Sequence, residues 1–290
     1  MSKLWKQAFT LIELLVVIAI IGILSGLIVV SMGGITEKAN IAKAQVFSNS
    51  LRNLLMLNII SEYKFDGNNN DSWGVNNGTA VGATLINTNC VFGSCLYFDG
   101  SDDYLTIPYS AMTSFRTFEF WFNTSRIDSG VRDWTKNALF FDNGDNTLDN
   151  EFAIHLYNGN TISAGWGSAG YENDVVFSGI VINSWYHIIV TVNDSQAKLY
   201  INGVLKDSDV ADTQMKSYVS ISPVPQFGGH PGSSYINFKG NIDNFRTYDY
   251  FMSASLAKQR YYSGLKNLLF SGQINGGDYK EIINLVASNE

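Results

Sequence analysis

The chain has 290 residues, of which 46% are hydrophobic and 16% are charged, so it can bury one good core, in one or two domains, beyond any membrane segment. Its net charge of −7 and pI near 5.0, without a basic stripe, argue against a nucleic-acid-binding surface. Gly and Asn are abundant and long helical patterns are absent from about residue 65 to 250, which indicates strands and turns.

The first element is an apolar run over residues 8–30 that carries one carboxylate, Glu13, near its start. An ionised side chain beside the apolar zone of a bilayer is costly unless it lies at the interface or finds a partner. Glu13 is therefore predicted to have a function, and the alternative is a signal anchor with a stray glutamate among the headgroups. Residues 14–30 give about 25 Å of helix at ~1.5 Å per residue, barely enough to span the hydrocarbon as a single pass.

Lys3 and Lys6 precede this run as a short basic leader, and residues 9–13 read Phe-Thr-Leu-Ile-Glu. This pattern resembles the leader of type IV pilins and pseudopilins. The resemblance implies that a prepilin peptidase removes residues 1–8 by cutting between Ala8 and Phe9, and that the new amino group of Phe9 is methylated. Ala8 departs from the usual Gly of the family, so slower cleavage is expected.

The pilin resemblance also implies a partner for Glu13, namely the α-amino group of a neighbouring subunit inside a homo-oligomeric filament. A buried charge is tolerable only when it is paired, so the physical argument agrees. The implied location is the cytoplasmic (inner) membrane before assembly, with the head outside the cytoplasm, and the cell surface after assembly. The expected partners are the prepilin peptidase, the inner membrane and other pilin subunits.

Apolar residues continue at spacings of three and four from Ile35 to Leu55, with Thr36 as a plausible N-cap. We therefore predict one long helix over residues 9–61, with a soft joint at Gly33-Gly34, where each glycine costs about 1 kcal/mol relative to Ala. In pilins the first half of such a helix forms the filament core and the second half packs against a globular head.

Beyond residue 62 the pattern changes to the alternation of strands. Phe118, Phe120 and Phe122 share one face of a strand, and residues 187–193 repeat this alternation. Asn202-Gly203 lies between two further strand patterns and is a strong hairpin signal, because both central residues of a type I′ turn need positive φ. Three strands in a meander follow from it.

The chain has two cysteines, Cys90 and Cys95, and the export signal places them in a compartment that permits disulfides. If Phe92-Gly93 form the turn of a second hairpin, the two cysteines face each other at a Cα separation of about 4.5 Å, which admits a disulfide. The alternatives are two free thiols, or a metal pair that lacks other ligands.

Many short strands separated by turns imply a β-sandwich. Residues 62–262 resemble the laminin-G-like, concanavalin-type jelly-roll modules of bacterial surface proteins, most specifically in the run Leu-Tyr-Phe-Asp-Gly-Ser-Asp-Asp-Tyr-Leu-Thr-Ile-Pro at 96–108. The other segments that carry the resemblance are 63–68, 76–79, 118–122, 185–188, 199–203 and 240–248.

After the sandwich, residues 253–260 form a short amphipathic pattern with Gly264 as its stop. Residues 263–290 follow as a small helical appendix whose apolar face must pack on something, most simply the head. The predicted fold class is therefore α+β: a long N-terminal helix, an all-β jelly-roll sandwich over 62–262 and a short helical appendix over 263–290.

The concanavalin-type fold also hosts glycosidases, whose retaining members need two carboxylates about 5 Å apart, usually on a Glu-x-Asp-x-x-Glu strand. The strand at 118–123 supplies Glu119 alone, followed by aromatic residues. His155, His187 and His230 have no zinc spacing, and His187 is interpreted as a hydrogen-bonded sheet residue. The chain is therefore predicted not to be an enzyme.

Calcium is the one cofactor expected, because hard cations take oxygen ligands from acidic turns. In related modules an early acidic loop and a late Ile-Asp motif often meet at one ion. The ligands that this resemblance implies here are Asp66, Asn68, Asp71 and Asp243. The alternative cluster is Asp99, Asp102 and Asp103. Ordinary turn chemistry, which needs no metal, is the competing interpretation.

Aromatic residues in glycine-rich loops are the candidates for ligand binding, since they gain little by core packing and can stack on a sugar. They are Trp134, Trp166, Tyr171 and His230. The alternative is that each folds inward as a plug. We predict a structural subunit of a type IV pilus or pilus-like filament, whose head serves adhesion by binding a carbohydrate or a surface protein. A pseudopilin of a secretion system that contacts cargo is the alternative, and a glycan-processing enzyme is the third.

Overall fold

The computed structural model describes residues 11–23, 25, 58–127, 129–130, 138–142, 152–166, 174–210, 225–229 and 237–288. The chain divides into two compact units, Met1–Leu57 and Asn58–Glu290.

The first unit contains a helix over residues 11–23, α1. Its Leu, Ile and Val side chains are between 45% and 80% exposed. No described helix has the length and apolarity that crossing a membrane requires. The predicted span over 14–30 lies partly outside the described residues, and the predicted joint at Gly33-Gly34 lies wholly outside them. The C-terminal end of the predicted helix is wrong, because residues 59–61 already belong to a strand.

The second unit is an antiparallel β-sandwich with two C-terminal helices, which confirms the predicted fold class. Its strands are β1 (Ile59–Tyr63), β2 (Thr79–Val81), β3 (Thr84–Ile86), β4 (Cys95–Asp99), β5 (Tyr104–Thr106), β6 (Thr117–Thr124), β7 (Ala138–Asp142), β8 (Phe152–Tyr157), β9 (Thr161–Trp166), β10 (Asp174–Ser178), β11 (Trp185–Val192), β12 (Gln196–Ile201), β13 (Val204–Val210), β14 (Gln226–Phe227) and β15 (Lys239–Tyr248). The helices are α2 (Ala254–Phe270) and α3 (Gly276–Ser288).

The strands form two sheets. The first has the order β13-β12-β11-β6-β15-β4-β3, with β1 also paired to β15, and the second has the order β10-β9-β8-β7-β14-β5-β2. Strands β6 and β15 lie at the centre of the first sheet, although more than a hundred residues separate them. The order therefore joins early and late parts of the chain, as a jelly roll does.

The core between the sheets consists largely of phenylalanine rings. Phe118, Phe120 and Phe122 alternate with outward-facing residues along β6 and are fully buried, as the sequence predicts. Phe118 lies 4.6 Å from Phe140 of the opposite sheet and 4.7 Å from Phe245 of β15, between ring centroids. Such tilted aromatic contacts add to the burial of apolar area.

The hairpin at Asn202-Gly203 is confirmed. The two residues have φ of 53° and 75°, and Ile201 of β12 pairs with Val204 of β13. With β11 paired to β12, the predicted meander of three strands is also confirmed.

The second predicted hairpin is wrong, although its disulfide is present. Cys90 and Cys95 are joined, with their Cα atoms 5.4 Å apart. Cys95 begins β4 and pairs with Ile86 of β3, while Cys90 lies in the loop before it. The loop does not form a strand because the backbone amides that follow Cys90 donate to a distant carboxylate, Asp243.

The C-terminal helices cover the outer face of the first sheet, as expected of the helical appendix. Ser253 caps α2 by accepting a hydrogen bond from the amide of Leu256. Helix α2 continues to residue 270, so the predicted stop at Gly264 is wrong. Gly264 instead allows close packing, since a Cβ there would lie 2.1 Å from the ring of Trp121. A second apolar cluster joins the sheet, the disulfide loop and both helices through Val91, Trp121, Tyr261, Leu265, Leu268 and Val286.

Candidate ligand-binding site

The residues predicted for processing and assembly fall in the first unit. Ala8 and Phe9 lie outside the described residues. Glu13 lies in the first turn of α1 and is exposed.

Of the four aromatic residues predicted to bind a ligand, the structure describes Trp166. Trp134, Tyr171 and His230 lie outside the described residues. Trp166 is at the end of β9, only 2% exposed, with its ring centroid 5.0 Å from that of Phe152. It continues the inward alternation of Ile162 and Ala164, so its predicted ligand role is wrong and the inward alternative applies.

Two of the four predicted calcium ligands instead organise their own loop. Oδ1 of Asp71 accepts hydrogen bonds from the backbone amides of Glu62 at 2.9 Å and Trp73 at 3.0 Å. Its Oδ2 accepts a third, from the amide of Asn76 at 3.2 Å. Oδ1 of Asn68 accepts from the amide two residues later, at 2.9 Å, as in an Asx turn.

The other two, Asp66 and Asp243, hold the disulfide loop. Oδ2 of Asp243 accepts from the backbone amides of Val91 at 2.9 Å and Phe92 at 2.8 Å, and Oδ1 of Asp66 accepts from that of Ser94 at 3.0 Å. Burial raises the pKa of Asp243 to about 7, and the negative charge of Asp66 adds to this rise.

The structure does not bring the four predicted ligands together. Within the described residues, Asp66, Asp71 and Asp243 form no group at the spacing of metal ligands. The alternative cluster does come together, with oxygens of Asp99, Asp102 and Asp103 within 4.8 Å of one another. Two of these oxygens already accept backbone hydrogen bonds, Asp103 Oδ2 from residue 99 and Asp99 Oδ1 from residue 101, each at 2.7 Å.

Glu119, considered above as a catalytic acid, is the centre of a buried ionic network on the outer face of β6. Its carboxylate is 1% exposed and accepts hydrogen bonds from Arg260 Nε at 2.9 and 3.1 Å and from the Tyr248 hydroxyl at 2.5 Å. His187 Nε2 lies 3.0 Å from Oε1, and Arg246 lies 3.8 Å away. His187 is thus a hydrogen-bonded sheet residue, as predicted.

Burial would raise the pKa of Glu119, but Arg260, His187 and Arg246 together hold it well below its usual range. Burial also lowers the pKa of His187, more than Glu119 raises it. Glu119 therefore stays ionised in the fold and has no proton to donate as a general acid.

The network extends through Arg246, whose Nε donates to Glu62 Oε1 at 2.7 Å. It ties β1, β6, β11, β15 and α2 together. The sequence signal for it was the lone acid among the aromatic residues of β6, but its arginine partners are more than a hundred residues away, so sequence spacing could not identify them.

A cavity of about 690 Å³ lies beside this network, between the outer face of the first sheet and helices α2 and α3. This size is typical of small-molecule sites, which are mostly apolar with a few placed polar groups. Its aromatic wall includes Trp121, Trp185 and Tyr261, and its amide side chains include Asn89, Asn123, Asn202 and Gln273. No sequence pattern indicates this cavity, because its lining comes from strands and helices that are distant in the chain.

Known protein families match both parts of the chain, the N-terminal segment and the β-sandwich. The sequence matches the family described as the concanavalin A-like lectin/glucanases superfamily over residues 99–256, more than half of the chain. It also matches the prokaryotic N-terminal methylation motif over residues 6–29. These matches confirm the two resemblances found in the sequence. No curated protein matches the sequence significantly.

Several solved structures share the fold of the second unit. Domain 4 of AbnA, a GH43 extracellular arabinanase from Geobacillus stearothermophilus solved in complex with arabinotriose, is 20% identical, with a TM-score of 0.53, over 70% of this chain and 97% of that domain. The binding domain of botulinum neurotoxin serotype D is 16% identical, with a TM-score of 0.55, over 73% of this chain and 52% of that one. That of Paraclostridial Mosquitocidal Protein 1 is 17% identical, with a TM-score of 0.53, over 73% and 53%.

The chain thus spans about half the length of the two toxin structures and nearly all of the arabinanase domain. At these identities the likeness concerns the fold alone, and it confirms the β-sandwich. It transfers no ligand from those proteins to this one.

Proposed function

The chain belongs to the concanavalin A-like lectin/glucanases superfamily, and from this premise we propose that it is a subunit of a type IV pilus or pilus-like surface filament whose head binds a carbohydrate. Before assembly the chain is held in the cytoplasmic membrane as a single pass, with its head outside the cytoplasm. After processing by a prepilin peptidase it joins other subunits, and the head is displayed at the cell surface for adhesion.

The observation that carries this proposal is the N-terminal methylation motif beside a lectin-type sandwich in one chain. Helix α1 presents its Leu, Ile and Val side chains outward, and such a surface is stable only against lipid or other apolar helices. Glu13 near its start is the acid that pairs with the methylated amine of the next subunit.

The experiment is electron microscopy and mass spectrometry of filaments sheared from cells that express this chain. We expect the mature protein to begin at methylated Phe9, and Glu13→Ala to insert normally in the membrane but to enter filaments poorly. Removing a carboxylate cannot weaken insertion into lipid, but it removes the partner of a neighbour's amine. Glu37→Ala serves as the control for loss of one acid from the same unit.

Two results would contradict the filament proposal: Met1 retained in surface material, or normal assembly of Glu13→Ala. Short or absent filaments together with a secretion defect would instead assign the chain as a pseudopilin that contacts cargo.

The head is further proposed to bind its ligand without cleaving it. Glu119, the acid that the sequence offers for catalysis, is buried, ionised and bound by Arg260 and His187. Incubation with polysaccharides to which the head binds should release no new reducing ends. Release of new reducing ends by the purified wild-type protein would support the glycan-processing alternative.

Calcium is retained as a proposal at Asp99, Asp102 and Asp103, where carboxylate oxygens suited to a hard cation lie together. A ligand that binds only the folded state stabilises it by about 2.7 kcal/mol at a hundredfold excess over Kd. The melting temperature should rise in millimolar calcium relative to chelator, and Asp102→Asn should abolish the rise. Magnesium should substitute poorly, because it demands a tighter octahedral shell. Identical melting curves in calcium and in chelator would mean that the three aspartates only stabilise their own turn.

A further inference from the structure

The cavity between the outer face of the first sheet and helices α2 and α3 is lined by residues of β6, β11, β12 and β13 on one side and of both helices on the other, together with Phe177 of β10 and neighbouring loop residues. Every described residue that lines it belongs to the second unit.

One wall of the cavity is aromatic and fixed in place. The ring of Trp121 stacks on Tyr261 of α2, with 5.6 Å between centroids, and on His187 of β11, at 4.8 Å. Trp185, two residues before His187 on the same face of β11, is only partly buried. Its indole is therefore the ring that can offer a face to a bound molecule.

The polar part of the lining consists of amide side chains, which can both donate and accept hydrogen bonds. Asn123, on β6, is paired directly with Trp185. Asn202 Oδ1 accepts from the amide of His187, which fixes its orientation. Gln273 Nε2 donates to the carbonyl of Cys90, while its Oε1 is buried without a hydrogen-bond partner, and so is Trp185 Nε1. These two buried atoms are closed to solvent, so the amide groups that the cavity offers to a ligand are those of Asn123 and Asn202.

The charge of the lining disfavours cationic ligands. Among the described lining residues, Lys206 is the one that is charged, with Nζ 5.3 Å from the ring centroid of Phe177, and none is a carboxylate. The protein as a whole carries −7, so the cavity differs in sign from the rest of the surface. A purely apolar ligand would displace water from the accessible amide groups without replacing its hydrogen bonds, at a cost in affinity.

We propose that this cavity is the carbohydrate site of the head, and that it takes the end of a neutral or acidic oligosaccharide. The apolar face of one sugar ring stacks on Trp185, and its hydroxyl groups bind the side chains of Asn123 and Asn202. The inference rests on the proposed carbohydrate-binding function and adds its location and the kind of sugar.

The test applies the full-length chain in detergent to a microarray of neutral, acidic and aminated oligosaccharides. The affinity for the best ligand is then measured for three cavity variants: Trp185→Ala, Trp185→Phe and Ser184→Trp. Ser184 is a half-buried lining residue, so a tryptophan there reduces the free volume and leaves the aromatic wall intact. Trp73→Ala is the matched control, because Trp73 is an exposed tryptophan outside the cavity.

We expect neutral or acidic glycans to bind and Trp185→Ala and Ser184→Trp each to weaken binding by at least about tenfold, or about 1.4 kcal/mol. Trp185→Phe should retain part of the affinity, and Trp73→Ala should leave it unchanged. Melting temperatures close to that of the wild type establish that the variants are folded.

Two results would overturn the inference, and they have different consequences. If the wild type binds glycans and the folded Trp185→Ala and Ser184→Trp variants bind equally well, the site lies elsewhere and the proposed function stands. If the wild type binds no glycan, or binds only aminated ones, the carbohydrate-binding function itself fails.

Discussion

Glu119 illustrates why a buried acid in this fold is a structural residue. Its carboxylate is surrounded by Arg260, His187 and Tyr248, so each of its two oxygens has hydrogen-bond partners. The same groups that make it a poor proton donor make it costly to remove, since each partner would remain buried without it. The sequence singles out Glu119 as a possible catalytic acid, but its structural role depends on partners that lie far away in the chain and could not be predicted.

We expect Glu119→Gln to lower the free energy of unfolding by about 3–5 kcal/mol, because it removes a fully buried carboxylate and leaves Arg260, whose side chain is only 24% exposed, without its counter-ion. Urea denaturation followed by fluorescence measures the change. The control is Asp194→Asn, which removes a solvent-exposed ion pair with Arg116 and should cost less than about 1 kcal/mol. Equal effects of the two substitutions would show that the network does not stabilise the head.

Asp243 should make stability depend on pH in the opposite direction from an ordinary paired acid. Its pKa is raised by burial from 3.8 to about 7 in the folded state. The folded state therefore binds the proton more tightly, and the stability that this contributes is complete below the ordinary value and is lost as pH rises through about 7.

The corresponding prediction is that Asp243→Asn gains stability relative to the wild type as pH increases from 4 to 7, by at most about 1.4 kcal/mol per pH unit, and that the difference is constant above that. Comparing the two proteins by urea denaturation at each pH cancels the titration of the other groups. Asp66→Asn is the matched control, since its carboxylate is exposed and also binds the disulfide loop. A pH-independent difference for Asp243→Asn would mean that this carboxylate stays ionised.

At the scale of elements, the sequence correctly predicts the features that depend only on neighbouring residues. Asn202-Gly203 gave the β12–β13 hairpin because positive φ at both positions is a property of those two residues. By contrast, Ile59 and Ile60 continue a helical spacing, yet they form β1 by pairing with β15, which lies far away in the chain. Glycine commonly ends helices, but Gly264 lies inside α2. Its lack of a side chain allows the helix to pack closely against Trp121.

Gly264 should therefore determine how closely α2 packs on the first sheet. We predict that Gly264→Ala destabilises the head by about 1–3 kcal/mol or more, since the new Cβ overlaps the Trp121 ring and forces α2 outward. Thermal unfolding measures this. Gly276→Ala, at the start of α3 with nothing within 4 Å of the new atom, should be neutral or slightly stabilising. If both variants melt like the wild type, α2 is not fixed by this contact.

At the scale of the whole molecule, composition and motifs predicted the division into an apolar N-terminal helix and a β-sandwich head, and they did so because each part has its own repeating pattern. The binding site could not be predicted in this way. Trp185, Asn202 and Gln273 belong to three different patterns, each accounted for by local structure. Only the order of strands in the first sheet and the packing of α2 and α3 bring them to one cavity.

The same division predicts that the head folds without the helix. Residues 58–290 form a compact unit with a phenylalanine core, a disulfide and the Glu119 network all inside it. The large apolar residues of α1, in contrast, are mostly exposed, as expected for a surface that finds its partners in lipid or in a filament. A protein that starts at Asn58 should therefore be monomeric and unfold in one cooperative transition, measured by calorimetry with sedimentation as the check on mass. Its melting temperature should match that of the head in detergent-solubilised full-length protein. A broad, non-cooperative transition, or a marked loss of stability on removing residues 1–57, would show that the helix is part of the folding unit and not only its anchor.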